Sequence, residues 1–420
     1  MSADYAATLA NVCARATDEV DIHKVTEMRY GSICYLGVGA INKFDDICKA
    51  MVAEEKTRVG IITGSSSYRS NGVWAVVEPT LRKYNIQFVL YSGATPNPTD
   101  TEADQAVAAF RALNPNWILA IGGGSPIDLG KAVAILLCYP EHNAQDLMTF
   151  KFTPNHALTL NTINTTHGTG TEVDRFSVVS VTALHTKPCL AYDFSYPKYS
   201  IDDPRICASL SRFQTACVTV DALAHVTEGS TTSCAGPLSI ALGQQVGRLI
   251  SKYLPRVLAD GHNLEARYHL LYASALAGMS FDSGMLHYTH AMEHVLSGMK
   301  PEIYHGFGLG MIMPAVFHAC WPAKGVVLAS ILGHIIPGLT GAPAEADHMY
   351  VELEKWLVSV GIDKKLDGFG FREEDFPEYL RLLRTTVPLP TLLSLAPVEA
   401  TDEVVHQIYT RSLHFHSIQN

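Results

Sequence analysis

Five residues in the second half of this chain have the types and spacing of a metal site. Asp221 and His225 are four apart in DALAH, His290 and His294 are four apart in HAMEH, and His305 follows in YHG. Residues four apart on a helix share a face, so each pair can turn two donors toward one ion. Three imidazoles and one carboxylate hold Fe(II) or Zn(II) and leave room for a substrate oxygen. The stretch His290 to His294 also fits H-x-x-E-H, a zinc metalloprotease pattern in which both histidines bind zinc and Glu293 is the general base. That alternative leaves Asp221 and His225 without a role.

The first half carries a different chemistry. In GGGSPIDLGKA, which starts at Gly122, glycines let the backbone approach phosphate oxygens, and the following helix offers free N–H groups and a partial positive charge. Ser125 adds a hydroxyl. The run is neither G-x-G-x-x-G nor a Walker loop, and a tight strand-to-helix turn with no ligand is the competing reading. A second glycine stretch, Thr165 to Glu172, is dense in hydroxyls and suits a phosphate, a ribose or a nicotinamide amide; a plain surface loop is the alternative. A third, Gly64-Ser65-Ser66-Ser67 with Arg69 nearby, lacks the acid that binds an adenosine 2′-hydroxyl and repels a 2′-phosphate. That leans toward NADP(H).

Such residues need elements to position them. Short apolar runs at 59–63, 86–91 and 117–121 read as strands, and 72–81 and 103–113 as helices. The alternation predicts a parallel sheet with crossover helices. From about Pro204 the segments become long and helix-periodic: 215–229, 240–258, 266–278 and 288–297. We therefore expect an α/β dinucleotide-binding domain over 1–204 and an all-helical metal-binding domain over 205–420, with the active site in the cleft between them.

The bulk properties set limits. A chain of 420 residues is long enough for two cores, and 47% hydrophobic with 17% charged residues is an ordinary globular composition. A net charge of -10 gives no support to nucleic-acid binding and argues against anionic membrane surfaces. The first residues lack the basic start and apolar centre of a signal peptide, and no stretch approaches the about 20 apolar residues of a membrane span. Nine cysteines without a C-x-x-C pair read as reduced thiols of a cytoplasmic protein.

Taken together, GGGSPIDLGKA, TTHGTGTEV, DALAHVTEG and HAMEHVLSGMKPEIYHG, in this order, resemble the iron-containing, group III alcohol dehydrogenase family from about Gly31 to beyond Cys320. The resemblance implies a Rossmann-like N-terminal domain, a helical C-terminal domain and Fe(II), sometimes Zn(II), bound by Asp221, His225, His290 and His305. It makes His294 a histidine near the nicotinamide that is linked to proton transfer. Gly123, Gly124 and Ser125 would bind the cofactor diphosphate with Asp128 and Lys131 nearby, and Thr165, Thr166 and Thr169 would line the nicotinamide side. GSSSYRSNGV, which covers Gly64 to Ser67, is similar to GGGSIKKNGV of NADPH-preferring members. Departures are His167 in place of Ala, Thr171 in place of Ser, and Glu293 where many members have Ala. Nothing beyond about Ala342 matches a motif.

The activity implied is reversible hydride transfer between nicotinamide C4 and a small aldehyde or primary alcohol, with the metal as Lewis acid on the substrate oxygen and His294 passing the proton. Phe176 and Phe281 are candidate substrate contacts. Homo-dimers or larger homo-oligomers are expected. Two further alternatives are a non-redox enzyme like the dehydroquinate synthases, which resemble this scaffold, and an assembly protein with a silent site.

Overall fold

Residues 3–18, 27–29 and 31–416 are described by the structure, a computed structural model. Its first element is helix α1 (Ala3–Asp18). Strands β1 (Ile33–Leu36), β2 (Arg58–Thr63), β3 (Gln87–Tyr91), β4 (Trp117–Gly122), β5 (Thr159–Asn164) and β8 (Tyr199–Asp202) form one sheet, and β6 (Phe176–Val178) and β7 (Cys189–Ala191) a small antiparallel pair. Helices α2 (Phe44–Ala53), α3 (Ser67–Ser70), α4 (Val73–Lys83), α5 (Asp100–Phe110), α6 (Gly124–Leu136) and α7 (Ala144–Met148) are interleaved with the strands. Then come α8 (Arg212–Thr231), α9 (Pro237–Ala259), α10 (Leu264–Gly284), α11 (Tyr288–Met299) and α12 (His305–Leu332). The last are α13 (Ala346–Val360), α14 (Phe376–Thr385), α15 (Leu389–Ser394) and α16 (Asp402–Leu413).

The chain forms two units: Tyr30–Ser211 with Asp260–Gly278, and Met1–Arg29 with Arg212–Ala259 and Met279–Asn420. This division differs from 1–204 and 205–420 in two ways. The N-terminal segment belongs with the helices, because Leu9, Val12 and Ala16 of α1 are buried at helical spacing and α1 packs on α12 and α9. The first part of α10 belongs with the α/β unit, where Arg267 donates to the carbonyls of Gly261 and Leu210.

The α/β unit is built on a six-stranded sheet in the order β1-β8-β5-β4-β2-β3, with every pairing parallel. Successive side chains of a strand point to opposite faces. On β4, Ile118 and Ala120 join one core with residues of α5, α6 and α7, while Trp117, Leu119 and Ile121 join another with residues of α2 and α4. Helices on both faces explain why β4 is a continuous apolar run. After β2 the chain adds β3 on one side and β4 on the other. The sheet order therefore switches direction between β2 and β4, where doubly wound sheets bind ligands outside the carboxyl ends of their strands.

The helical unit is organised around α12, which packs against α8, α9, α11, α13, α16 and α1. Contrary to the sequence reading, α12 is long and apolar enough to cross a membrane by length and composition alone, with a mean hydropathy of 1.5. Two thirds of that apolar window is buried inside the protein, so its hydropathy is that of a core helix.

Candidate metal centre and nucleotide loops

In the helical unit, α8 places Asp221, His225 and Glu228 at i, i+4 and i+7, one stripe of the helix, all buried. α11 places His290 and His294 one turn apart. His305 is the first residue of α12. The start of α12 can reach α8 because Gly306 has no side chain; a Cβ there would collide with the carbonyl oxygen of Cys217.

These elements bring three imidazoles to one carboxylate oxygen. Asp221 Oδ1 lies 3.5 Å from His225 Nε2, 3.6 Å from His290 Nε2 and 3.7 Å from His305 Nε2. Asp221, His290 and His305 have one donor atom each within 4.8 Å of the others, and so do Glu293, His294 and His305. Asp221 Oδ1 and His290 Nε2 are buried and have no hydrogen-bond partner. His225 stacks on His290 with ring centroids 4.6 Å apart, and Phe281 stacks on His225 at 4.3 Å. Phe281 is thus an apolar wall behind a histidine of the cluster.

Burial and neighbouring charges act against each other in this cluster. Burial alone would raise Asp221, yet the surrounding imidazoles hold it well below the usual carboxylate range. Burial pushes His225 down to about 3. Burial also disfavours charged His290, but Asp221 and Glu228 outweigh it and raise the ring to about 9.

The far nitrogens of two rings are held by buried acids. Glu228 accepts from His290 Nδ1 at 2.5 Å and from the backbone N–H groups of Thr289 and His290. Glu293 accepts from His305 Nδ1. Glu228 went unassigned in the sequence reading, although its position three residues after His225 was the signal for it. Glu293 faces the opposite ring nitrogen of His305 from the one near Asp221, and Asp221 is central to the cluster. Neither fits the H-x-x-E-H protease arrangement. His294 is buried, with its ring 5.5 Å from that of His305 and 6.4 Å from that of His290.

The donor set fits a divalent metal. Donors at about 2.0–2.2 Å from a tetrahedral ion stand about 3.3–3.6 Å apart, close to the three separations from Asp221 Oδ1.

In the α/β unit, the three glycine stretches end adjacent strands. Gly64 follows β2, and Ser65, Ser66 and Ser67 are exposed. Gly123, Gly124 and Ser125 follow β4 and open α6, half-exposed. Thr165 and Thr166 follow β5, with Thr165 buried, and Thr166 and Thr169 partly exposed. The last two stretches interlock: a Cβ on Gly123 would come within 2.5 Å of Thr166 Oγ1, and one on Gly124 within 2.6 Å of Thr169 Cγ2.

Two residues expected at the diphosphate do something else. The Lys131 ammonium is fully buried and bonds Thr171 Oγ1, Asp174 Oδ1 and the carbonyls of Asp174 and Phe176 at 2.7–2.9 Å. Asp128 accepts from Thr171 Oγ1 and the Val178 N–H. Both hold the loop from Thr171 to Val178 against α6, and their polar groups are satisfied inside the protein. Phe176 lies at the end of this loop on β6, partly exposed beneath Arg175.

Residues 32–204 match the model of the iron-containing alcohol dehydrogenases, and residues 215–413 match that of the C-terminal domain of the Fe-containing alcohol dehydrogenases. The chain belongs to the iron-containing alcohol dehydrogenase family. It is 48% identical to the long-chain primary alcohol dehydrogenase AdhA of Thermoanaerobacter ethanolicus, over 94% of this chain and 99% of that one. It is 33% identical to the 1,3-propanediol dehydrogenase of Klebsiella pneumoniae over 71% and 77% of the two chains. The NADH-dependent butanol dehydrogenase A of Thermotoga maritima superposes with a TM-score of 0.85 at 25% identity, covering 93% of this chain and 99% of that one. As an iron-containing alcohol dehydrogenase, the chain has the expected architecture: a parallel-sheet N-terminal domain and a helical C-terminal one.

Proposed function

We propose that this alcohol dehydrogenase oxidises primary alcohols and reduces the corresponding aldehydes with a nicotinamide cofactor, using a divalent metal held by Asp221, His225, His290 and His305. The observation that carries the reading is the convergence of three Nε2 atoms on Asp221 Oδ1. When bound, the metal supplies Lewis-acid polarisation of the substrate oxygen, and the nicotinamide supplies or takes up the hydride. The chain's own residues do the rest. The interlocked glycine and threonine loops bind and orient the cofactor, positioning that accounts for much of the rate gain in such transfers. Phe281 keeps the histidine cluster dry on one side. His294 moves the hydroxyl proton at a ring nitrogen, directly or through water. The reading requires the two units to present cofactor and substrate oxygen to each other in a cleft between them.

Fe(II) is the expected ion by family, with Zn(II) suited by the same ligands. The exposed serines at 65–67 support a lean to NADP(H), since they leave space where a 2′-hydroxyl-binding acid would repel a phosphate. A cytoplasmic, homo-oligomeric enzyme is part of the same proposal, supported by nine free thiols and by the family motifs.

The test is NADPH and NADH oxidation by anaerobically prepared, Fe(II)-loaded protein with short- and long-chain aldehydes, with and without chelator. Chelator-sensitive oxidation, faster with NADPH, is expected. No oxidation with bound metal and nucleotide would move the assignment to a non-redox reaction on the same scaffold.

A further inference from the structure

Glu293 stands between the two histidines of α11, and its side chain is fully buried. It accepts from His305 Nδ1 across the turn between α11 and α12. The ring's other nitrogen is then the lone-pair donor, and it is the one 3.7 Å from Asp221 Oδ1. The carboxylate fits because residue 308 is glycine: a Cβ there would lie 2.9 Å from both Cγ and Oε1 of Glu293. Glu228 does the same for His290. His305 differs from its neighbours in exposure: its side chain is 24% exposed, against 6% for His225 and 2% for His290.

We infer that Glu293 is a positioning residue that retains the metal by anchoring its most exposed ligand. The donor on the solvent side of a site is the first that water or a chelator displaces. A carboxylate on the far nitrogen fixes that ring's tautomer and orientation and strengthens its donor nitrogen. A charged acceptor makes this bond about twice as strong as a neutral one. The inference rests on the metal-site reading and goes beyond it by assigning slow metal loss to one residue outside the ligand set.

The test uses the full chain with Zn(II) and Co(II) as probes. Affinity and release rate are read by chelator competition, the ligand field by the visible absorption of the Co(II) form, and folding by thermal melting of the metal-free protein. Glu293→Ala should lower Zn(II) affinity by about 10–100-fold, speed release and shift the Co(II) bands. Glu293→Gln, which keeps an acceptor oxygen without charge, should fall between; if the alanine variant does not fold, the glutamine variant decides. His290→Ala separates the two readings. If His290→Ala binds Zn(II) like the parent, the metal site itself is misassigned. If it loses Zn(II) while both Glu293 variants match the parent in affinity, release and spectrum, only the role of Glu293 is overturned.

Discussion

His290 Nε2 stands 3.6 Å from Asp221 Oδ1, and both atoms are buried without a hydrogen-bond partner. On the proposed function, a divalent cation bridges these two atoms. Replacing His290 with Ala removes a ligand, whereas the loss of an orienting partner alone costs about 10–100-fold in affinity. His290→Ala should therefore lose more than about 100-fold in metal affinity and nearly all turnover. Metal analysis after gel filtration checks the first, and the aldehyde assay the second.

His294 lies close to the cluster, with its ring 5.5 Å from that of His305 and 6.4 Å from that of His290. His294→Ala should lower kcat by about 10²–10⁴-fold, the usual contribution of a proton-transfer group, with metal content close to the parent's. Metal loss in this variant would make His294 a ligand instead.

Gly124 leaves room for a methyl group of the neighbouring loop. In Gly124→Ala the new Cβ would stand 2.6 Å from Thr169 Cγ2, which forces the two loops apart and should raise the cofactor KM at least several-fold. Thr169→Ser removes that methyl, so the double variant should recover much of the loss. A double variant as poor as Gly124→Ala would show that the damage does not arise at this contact.

Lys131 and Asp174 form an ion pair with neither side chain exposed beyond 1%. Removing one partner of such a pair leaves an uncompensated buried charge and costs about 3–5 kcal/mol. Lys131→Met should destabilise the protein by that amount in urea unfolding. Because the ammonium faces the loop, cofactor binding should weaken through disorder of Thr171 to Val178, not through a lost diphosphate contact. A variant as stable as the parent with a selectively raised cofactor KM would restore Lys131 to the diphosphate.

Glu172 is buried with neither carboxylate oxygen hydrogen-bonded. Burial and the nearby Asp202 push it well above the usual range, and burial raises Asp202 to about 6. The folded state thus holds protons that the unfolded chain releases near pH 4. Stability should be highest at or below that pH as far as these groups are concerned, and should decline as pH rises through about 6. Glu172→Gln should melt higher than the parent at pH 8, with the difference shrinking toward pH 5. A pH-independent difference would exclude titration of this pair as the cause.

Legibility from sequence followed the strength of each local signal. β4 was readable because both of its faces are apolar, and α8 through α11 because they are long runs rich in Ala and Leu. β5, with Asn161, Thr162 and Asn164 buried in TLNTIN, was not. Its polar side chains are satisfied by Tyr199, Ser200 and Asp202 of a strand that follows much later, and no local pattern announces a partner that distant. The same holds at the site. Asp221, His225, His290, His294 and His305 were legible as ligand-type residues, two pairs of them at helical spacing, and the convergence of three imidazoles on Asp221 is what the fold adds. Lys131 looked like a diphosphate cation next to a glycine turn. Only the path of the loop from Thr171 to Phe176 reveals that its charge faces inward.

The helix that begins with His305 poses a problem for the chain while it is being made. Residues 305–332 leave the ribosome as a stretch long and apolar enough to cross a membrane, yet two helices that shelter them, α13 and α16, lie further along, the second ending at Leu413. Until α16 has been made, this segment has only part of its cover. A frameshift or stop within α16 should therefore yield a nascent chain captured by chaperones or lost to aggregation, not a shortened but working enzyme.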